Sequence, residues 1–125
     1  MSKAVSKTVL TVDDSATIRT MLQHALVDAG FRVVQACDGM EGLERLEGEV
    51  PDVIITDINM PRLDGFGFIE QVRRSQAHRR TPILVLTTES DAPRKERARQ
   101  AGATGWIVKP FDPAKLVDAI HRVTG

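Results

Sequence analysis

The sequence has little cysteine, few aromatic residues and no long apolar run, and these absences exclude several classes of protein. Cys37 is the only cysteine among the 125 residues, so the chain forms no internal disulfide and no site built from several cysteines. We expect this thiol to be a small, partly buried apolar side chain. The longest apolar runs, Val53 to Ile55 and Ile83 to Leu86, are far shorter than the roughly 18 residues of a membrane-spanning helix.

Net charge is also absent, because 17 basic residues balance 17 acidic ones. Nucleic-acid-binding domains are usually clearly basic, so we expect no nucleic-acid partner. Residues Met1 to Lys7 contain two lysines but no apolar segment behind them, which argues against a secretory signal and predicts a cytoplasmic location. A hydrophobic fraction of 42% over this length predicts one monomeric globular domain, residues 1–125, with no output domain attached.

Apolar segments rich in β-branched residues alternate five times with longer amphipathic segments. This alternation is typical of βα units that build a parallel sheet covered by helices on both faces, an α/β fold. The predicted strands are Thr8–Val12, Arg32–Ala36, Val53–Thr56, Ile83–Thr87 and Trp106–Val108. The predicted helices are one that ends near Gly30, then Met40–Leu46, Phe66–Arg74, Pro93–Ala101 and Pro113–Val123 with Asp112 as its N-cap.

The first and fourth helices differ in how much apolar surface they offer the core. The first has an apolar stripe at helical spacing, formed by Ile18, Met21, Leu22, Ala25 and Leu26. The fourth leaves only Ala92, Ala98 and Ala101 to face the core, so we expect it to pack weakly. The basic residues of this helix, and those of the segment from Arg73 to Arg80, are expected to be solvated.

Polar residues follow four of the predicted strands. They are Asp13 and Asp14 after the first, Asp57 after the third, Thr87 at the end of the fourth and Lys109 after the fifth. Right-handed crossovers bring the carboxyl ends of parallel strands to one edge of the sheet, where ligands bind. We therefore expect one polar site at this edge.

Three carboxylates at one edge repel one another, and a divalent cation relieves this repulsion. Mg²⁺ prefers oxygen ligands, which suits a site of aspartates without histidine or cysteine. A carboxylate such as Asp57 can attack phosphorus, and Lys109 and Thr87 can stabilise the phosphoryl oxygens. Singly, these residues have ordinary explanations: a helix cap for Asp13 and Asp14, a turn for Asp57, a strand end for Thr87 and a surface lysine for Lys109. Their convergence favours a phosphoryl-transfer site.

Four motifs resemble the receiver domains of response regulators. They are Val12-Asp13-Asp14-Ser15, Thr56-Asp57-Ile58-Asn59-Met60-Pro61 with Asp64-Gly65, Thr87-Thr88 and Lys109-Pro110-Phe111. The resemblance covers nearly the whole chain and is greatest to the single-domain chemotaxis receivers of the CheY type. It implies a flavodoxin-like (βα)5 fold, a doubly wound parallel sheet of five strands in the order 2-1-3-4-5.

The resemblance also implies roles for the residues of the polar site. Asp57 would be the phosphoacceptor, with Mg²⁺ held directly by Asp14, through water by Asp13 and through the backbone carbonyl of Asn59. Thr87 and Lys109 would contact the phosphoryl oxygens, and the peptide bond between Lys109 and Pro110 would be cis.

Two further positions are implied to act after phosphorylation. Asn59 and Glu89, each two residues past a site residue, match a pair associated with rapid loss of phosphate. Trp106 occupies the position at which the family usually has a tyrosine or phenylalanine that moves with the threonine. The implied output surface comprises the fourth helix, the fifth strand and the fifth helix.

The implied activity is that of a signalling switch, with autodephosphorylation but no turnover of substrates. A CheA-like histidine kinase would donate the phosphoryl group, and the flagellar switch protein FliM or a phosphatase would be further partners. The chain would act at the flagellar motor or as a phosphate sink.

Two other functions use similar residues on a parallel sheet. A phosphatase of the haloacid dehalogenase type needs Asp-x-Asp-x-Thr/Val after its nucleophilic strand, which neither aspartate motif matches. A flavin- or nucleotide-binding module needs a glycine-rich loop after the first strand, where this chain has Asp13 and Asp14.

Overall fold

The computed structural model describes residues 6–125. Most of the segment from Met1 to Lys7, on which the prediction about a secretory signal rests, lies outside the described residues. Ten elements alternate along the chain: β1 Thr8–Val12, α1 Ala16–Asp28, β2 Arg32–Ala36, α2 Gly39–Gly48, β3 Val53–Thr56, α3 Gly65–Arg74, β4 Ile83–Thr87, α4 Ala92–Ala101, β5 Gly105–Val108 and α5 Pro113–Thr124. The strands form one parallel sheet in the order β2-β1-β3-β4-β5. The predicted flavodoxin-like fold is confirmed. None of the helices within residues 6–125 combines the length and the apolar character that crossing a membrane requires.

Helices cover both faces of the sheet, so the central strands β3 and β4 are buried along their whole length. Successive residues of a strand point to opposite faces, and Val9 and Leu10 of β1 accordingly belong to two different apolar clusters. Leu10 packs on the face covered by α2, α3 and α4, in a cluster that also contains Phe68 of α3. Val9 packs on the face covered by α1 and α5, together with Leu22 and Leu116.

A side-chain cap sets the start of each helix. The caps are Ser15, Asp38, Asp64, Asp91 and Asp112, and each side chain accepts a hydrogen bond from a backbone N–H in the first turn. The predicted cap at Asp112 is therefore confirmed. Because Ser15 caps α1, the alternative of Asp13 and Asp14 as caps is wrong, and their carboxylates remain at the sheet edge.

Two expectations about burial are wrong. The Met21 side chain, assigned to the apolar stripe of α1, is 46% exposed, whereas Leu22 and Leu26 are buried as predicted. Cys37 is exposed, in the connection between the end of β2 and Asp38, the N-cap of α2.

The weak apolar packing of α4 is confirmed, since Ala98 is its one buried residue. Arginines supply other contacts. The guanidinium of Arg97 lies 4.1 Å from the ring centroid of Phe66 in α3. Arg73, at the end of α3, donates two hydrogen bonds to the carbonyl of Gly102, the C-cap of α4. The expectation that the segment 73–80 is solvated is therefore wrong for Arg73, and also for His78, which is 5% exposed.

Candidate functional site

The carboxyl edge of the sheet brings together the polar residues that the sequence predicted. The β1–β3 register pairs Val12 with Thr56, so Asp13 and Asp57 leave neighbouring strands at the same level. The sheet continues one residue further on both sides, because Asp57 N–H donates to Val12 O at 3.0 Å and Asp13 N–H donates to Ala36 O at 3.1 Å. The backbone thus fixes both aspartates before their side chains make any contact.

Lys109, from the end of β5, joins these two aspartates. Its Nζ lies 2.9 Å from Oδ2 of Asp13 and 2.9 Å from Oδ2 of Asp57. All three side chains are largely buried, with 10% of Lys109, 2% of Asp13 and 10% of Asp57 exposed. The peptide bond between Lys109 and Pro110 is cis, as the resemblance implied. One ammonium group therefore forms ion pairs with two carboxylates in a largely buried site.

Burial and ion pairing act in opposite directions on the titration of this cluster. Burial raises the pKa of Asp13 above its ordinary value, although hydrogen bonds from Lys109 and from Ser15 N–H partly offset it. Burial alone would lower the pKa of Lys109, but the bonds to Asp57 and Asp13 outweigh it and raise this pKa. Lys109 is accordingly charged throughout the neutral range.

Asp14 completes an acidic cluster at the entrance of the site. It is exposed, and carboxylate oxygens of Asp13, Asp14 and Asp57 all lie within 4.8 Å of one another. Lys109 balances one of these three formal charges, so the cluster keeps an excess of negative charge. Ligands that are all hard oxygens, with net negative charge, fit Mg²⁺ better than a metal that prefers nitrogen or sulfur.

The carboxylate of Asp57 is held at both oxygens. Oδ1 accepts a hydrogen bond from Ile58 N–H at 2.7 Å, while Oδ2 accepts the bond from Lys109. Close packing below the site requires a glycine at position 65, because a Cβ there would collide with the carbonyl oxygen of Asp57. Gly65 thus lets α3 begin directly against the backbone of Asp57.

The other predicted residues form a second group beside the carboxylates. Thr87 is fully buried, and its Oγ1 accepts a hydrogen bond from Glu89 N–H at 3.4 Å. The indole Nε1 of Trp106 donates to the carbonyl of Glu89 at 3.1 Å. The Asn59 side chain extends to this group, since its Nδ2 donates to Oε2 of Glu89 at 3.2 Å. Glu89 therefore links the loops after β3 and β4 to β5.

Three arginines near the site were not predicted as part of it. Arg19 donates to the backbone carbonyl of Asp13 at 2.6 Å, Arg62 pairs with Asp38, and Arg94 pairs with Glu89. Only Arg62 has a partner far away in sequence, 24 residues before it, which leaves no local signal for this pair. The capping pair Asp38 and Glu41, in which each side chain accepts a backbone N–H, was visible as Asp-x-x-Glu and would have located the start of α2.

Residues 9–121 match the response regulator receiver domain family. The chain is 36% identical to a probable chemotaxis protein CheY of Rhizobium etli over 126 aligned residues, covering 100% of this chain and 98% of the relative. It is 46% identical to the solved structure of the chemotaxis response regulator CheY4 of Vibrio cholerae, with a TM-score of 0.90 over 95% of this chain and 99% of that one. It spans about half the length of several other curated relatives that it matches.

A third relative bears on the acidic cluster. The receiver domain of the sensor histidine kinase PA1611 from Pseudomonas aeruginosa, solved with a magnesium ion coordinated in its active site cleft, is 30% identical to this chain. Its TM-score is 0.90 over 97% of this chain and 99% of that one. Receiver domains take phosphoryl groups from histidine kinases, bind Mg²⁺ at an acidic site and act as switches in two-component signalling. On the match over residues 9–121, this chain belongs to the response regulator receiver domain family.

Proposed function

We propose that this chain is a chemotaxis receiver that accepts a phosphoryl group on Asp57 from a CheA-like histidine kinase and passes the signal to an output surface. The observation that carries the proposal is the position of Lys109 Nζ, 2.9 Å from both Asp13 and Asp57 within an acidic cluster. The likeness to CheY proteins of Rhizobium etli and Vibrio cholerae supports the chemotaxis role.

Asp57 has the properties of a nucleophile towards phosphorus. A carboxylate oxygen of Asp57 attacks the phosphorus of a phosphohistidine, the new O–P bond replaces the P–N bond, and the imidazole leaves. The Ile58 N–H bond to Oδ1 and the Lys109 bond to Oδ2 orient the carboxylate without a general base. Its small exposed fraction keeps bulk water from solvating the nucleophile.

Asp13, Asp14 and Asp57 would hold the Mg²⁺ ion, with the backbone carbonyl of Asn59 as a further ligand. When bound, this ion supplies positive charge that stabilises the phosphoryl oxygens in transit. The excess of carboxylates over ammonium groups in the cluster supports this assignment.

Phosphorylation changes the partners of Lys109 and Thr87. The added group carries nearly two negative charges and three acceptor oxygens, which attract the ammonium group of Lys109 away from the carboxylates of Asp13 and Asp57. The Thr87 hydroxyl, which already accepts a bond from Glu89 N–H, has its proton available for a phosphoryl oxygen. Binding of the phosphoryl group therefore moves Thr87 at the end of β4 and Lys109 after β5.

Glu89 carries the signal onwards from Thr87. Movement of Thr87 towards the phosphoryl group pulls on Glu89 N–H, and the Glu89 carbonyl is the acceptor of the Trp106 indole. Trp106 thus fills the role that the family gives to a tyrosine or phenylalanine, with a hydrogen bond that a phenylalanine lacks. The signal reaches β5 through this contact.

The output surface comprises α4, β5 and α5. A groove of about 210 Å³ between α4 and β5 is lined by Ala98, Ala103 and Trp106, with Lys95 and Arg99 among its charged residues. Because α4 has one buried residue, a small change in free energy suffices to shift it. The flagellar switch protein FliM or a phosphatase would bind here, and a chain that binds neither would act as a phosphate sink.

Monomeric state, cytoplasmic location and the single-domain boundary 1–125 remain predictions.

Phosphotransfer from radiolabelled phospho-CheA tests the proposal. The wild-type chain should become labelled in the presence of Mg²⁺, and hydroxylamine should release the label because it cleaves acyl phosphates. Asp57→Asn should abolish labelling, whereas Asp52→Asn, at an exposed position, should not. Full labelling of Asp57→Asn would disprove the acceptor assignment, and turnover of p-nitrophenyl phosphate would favour a phosphatase of the haloacid dehalogenase type.

Hydrogen exchange and peptide binding test the output surface. A beryllofluoride mimic of the phosphoryl group should change amide protection between Asp91 and Trp106, and unchanged protection there would contradict the proposed path. A pull-down with a FliM peptide, before and after phosphorylation, separates a motor-binding receiver from a phosphate sink.

A further inference from the structure

Arg94, in the first turn of α4, is connected to the β3–α3 loop through Glu89. Its NH1 lies 3.2 Å from Oε1 of Glu89, whose other carboxylate oxygen, Oε2, accepts the bond from Nδ2 of Asn59 at 3.2 Å. Asn59 is two residues past Asp57. We call this chain of contacts, Asn59 to Glu89 to Arg94, the Glu89 bridge.

The Glu89 bridge holds a side chain that would otherwise be mobile. A loop carboxylate with one neutral partner samples several rotamers, but both carboxylate oxygens of Glu89 have partners here, and so do its backbone N–H and carbonyl. The amide of Asn59 is neutral and forms a hydrogen bond with Glu89, whereas the guanidinium of Arg94 is charged and attracts the carboxylate as an ion pair, while the NH1 of Arg94 donates its hydrogen bond to Asp91 at 2.7 Å. The orientation of the Glu89 carboxylate therefore depends on the Arg94 ion pair as well as on the Asn59 hydrogen bond.

Hydrolysis of an aspartyl phosphate needs water on the side of phosphorus opposite the Asp57 oxygen. The water oxygen bonds to phosphorus, the bond to Asp57 breaks, a water proton passes to solvent, and the carboxylate and inorganic phosphate are released. Asp57 forms the floor of the site, so this water approaches from the solvent side. Asn59 and Glu89 lie on the loops that follow β3 and β4, two residues past Asp57 and Thr87, and an exposed hydrogen bond joins their side chains on the solvent side of the sheet edge.

We propose that Arg94 is a positioning residue that lengthens the lifetime of the phosphoryl group on Asp57, because it holds Glu89 against Asn59 across the entrance of the site. The inference rests on the proposed acceptor role of Asp57. It makes α4 a regulator of phosphate loss as well as part of the output surface. Arg94 also lies 2.7 Å from Oδ1 of Asp91, so a shift of α4 that favours this second carboxylate releases Glu89.

The rate constant for loss of label from the phosphorylated chain tests the proposal. Arg94→Gln should speed this loss roughly two- to fivefold, which is the range that the free energy of an exposed ion pair allows. Arg94→Lys keeps the charge and should restore most of the wild-type lifetime. In a Glu89→Ala background Arg94→Gln should have no further effect, since the residue it acts through is gone. Salt screens exposed pairs, so raising the ionic strength should bring the wild-type rate towards that of Arg94→Gln.

Arg45→Gln is the matched control. Arg45 pairs with Glu41 on α2 at 3.3 Å, with side chains 50% and 29% exposed, against 51% and 31% for Arg94 and Glu89. This variant removes an equivalent ion pair away from Asp57 and should leave the phosphate lifetime unchanged. Circular dichroism checks that each variant is folded.

Three results would overturn the proposal: an unchanged rate in Arg94→Gln, a slower rate, or the same acceleration in the Glu89→Ala background. A wild-type chain that takes no label would instead overturn the acceptor role of Asp57, and this inference with it. A labelled chain that decays equally fast with and without Arg94 overturns the role of Arg94 alone.

Discussion

The guanidinium of Arg62 donates to both carboxylate oxygens of Asp38, at 2.8 Å to Oδ2 and 3.0 Å to Oδ1, although Arg62 itself has a φ of 68°. Asp38 is also the N-cap of α2 and accepts a bond from Glu41 N–H. The pair therefore joins the β3–α3 loop, which follows Asp57, to the start of α2. A residue in the left-handed region is retained where its side chain has such a partner.

The ion pair makes Asp38 a source of stability that depends on pH. The bonds from Arg62 and from Glu41 N–H hold the pKa of Asp38 below its usual value of 3.8. The unfolded chain therefore binds the proton first, so this stabilisation is present above pH 3.8 and is lost as the pH falls through the folded pKa. Asp38→Asn keeps the N-cap but removes the titrating group, and should flatten the acid limb of stability measured by urea unfolding between pH 2 and 5. An acid limb as steep as that of the wild type would contradict this assignment.

Backbone strain at Arg62 predicts a gain from glycine once the ion pair is gone. In an Asp38→Asn background, Arg62→Gly should raise the free energy of unfolding by roughly 0.5–1 kcal/mol, because glycine adopts positive φ without a steric penalty. With Asp38 present the gain should be smaller, since the substitution also removes the pair. Arg80→Gly, at an exposed position, is the control and should be neutral or destabilising. Equal effects at the two positions would show that the φ of Arg62 carries no strain.

Competition between Lys109 and a cation predicts the behaviour of a neutral variant. Lys109→Met should destabilise the chain by about 3 kcal/mol in the presence of a chelator, because it leaves two buried carboxylates without their counter-ion. Mg²⁺ should bind roughly three- to tenfold more tightly to this variant, since the ammonium group no longer occupies Asp13 and Asp57. Isothermal titration calorimetry measures the Kd, with Lys115→Met on the exposed surface of α5 as the control. Weaker binding by Lys109→Met would contradict the competition.

The contacts of Arg73 predict that Arg73→Lys, although it keeps the charge, lowers the stability of the fold considerably. Its guanidinium donates to the carbonyls of Gly102, His78 and Thr81, which a lysine ammonium has too little reach and too few planar donors to replace. Arg73→Lys should lower the free energy of unfolding by about 2 kcal/mol, because several partly buried carbonyls lose their partners at once. Arg74→Lys, one residue further and exposed, should change it by less than about 0.5 kcal/mol. Urea unfolding followed by Trp106 fluorescence gives both values, and similar losses would show that the Arg73 contacts contribute little.

Much of the fold could be predicted because the deciding forces are local or periodic. The strands β1 to β4 have the predicted bounds, since a short run of apolar β-branched residues suits burial in a parallel sheet. The helices begin or end within about two residues of the predictions, because caps such as Asp112 act on the turn beside them. The convergence of Asp13, Asp57 and Lys109 follows in turn, since parallel strands all end at one edge.

The exposure of single side chains was less predictable. Met21 and Cys37 are apolar or weakly polar residues in or beside predicted elements, yet both are exposed. Periodicity indicates which stripe of a helix is apolar, but the width of the covering surface decides how much of that stripe is buried.

The sequence alone determined the strand order implied by the family motifs, the start of most elements and the acidic cluster with its lysine. The tertiary structure decided which arginines have partners. Arg73 contacts Gly102 from 29 residues away, Arg62 contacts Asp38 from 24, and Arg94 pairs with Glu89 rather than standing free on a solvated helix face. A guanidinium is long and forms bonds wherever acceptors converge. Its partner is therefore set by the folded surface around it, which neither residue type nor spacing along the chain encodes.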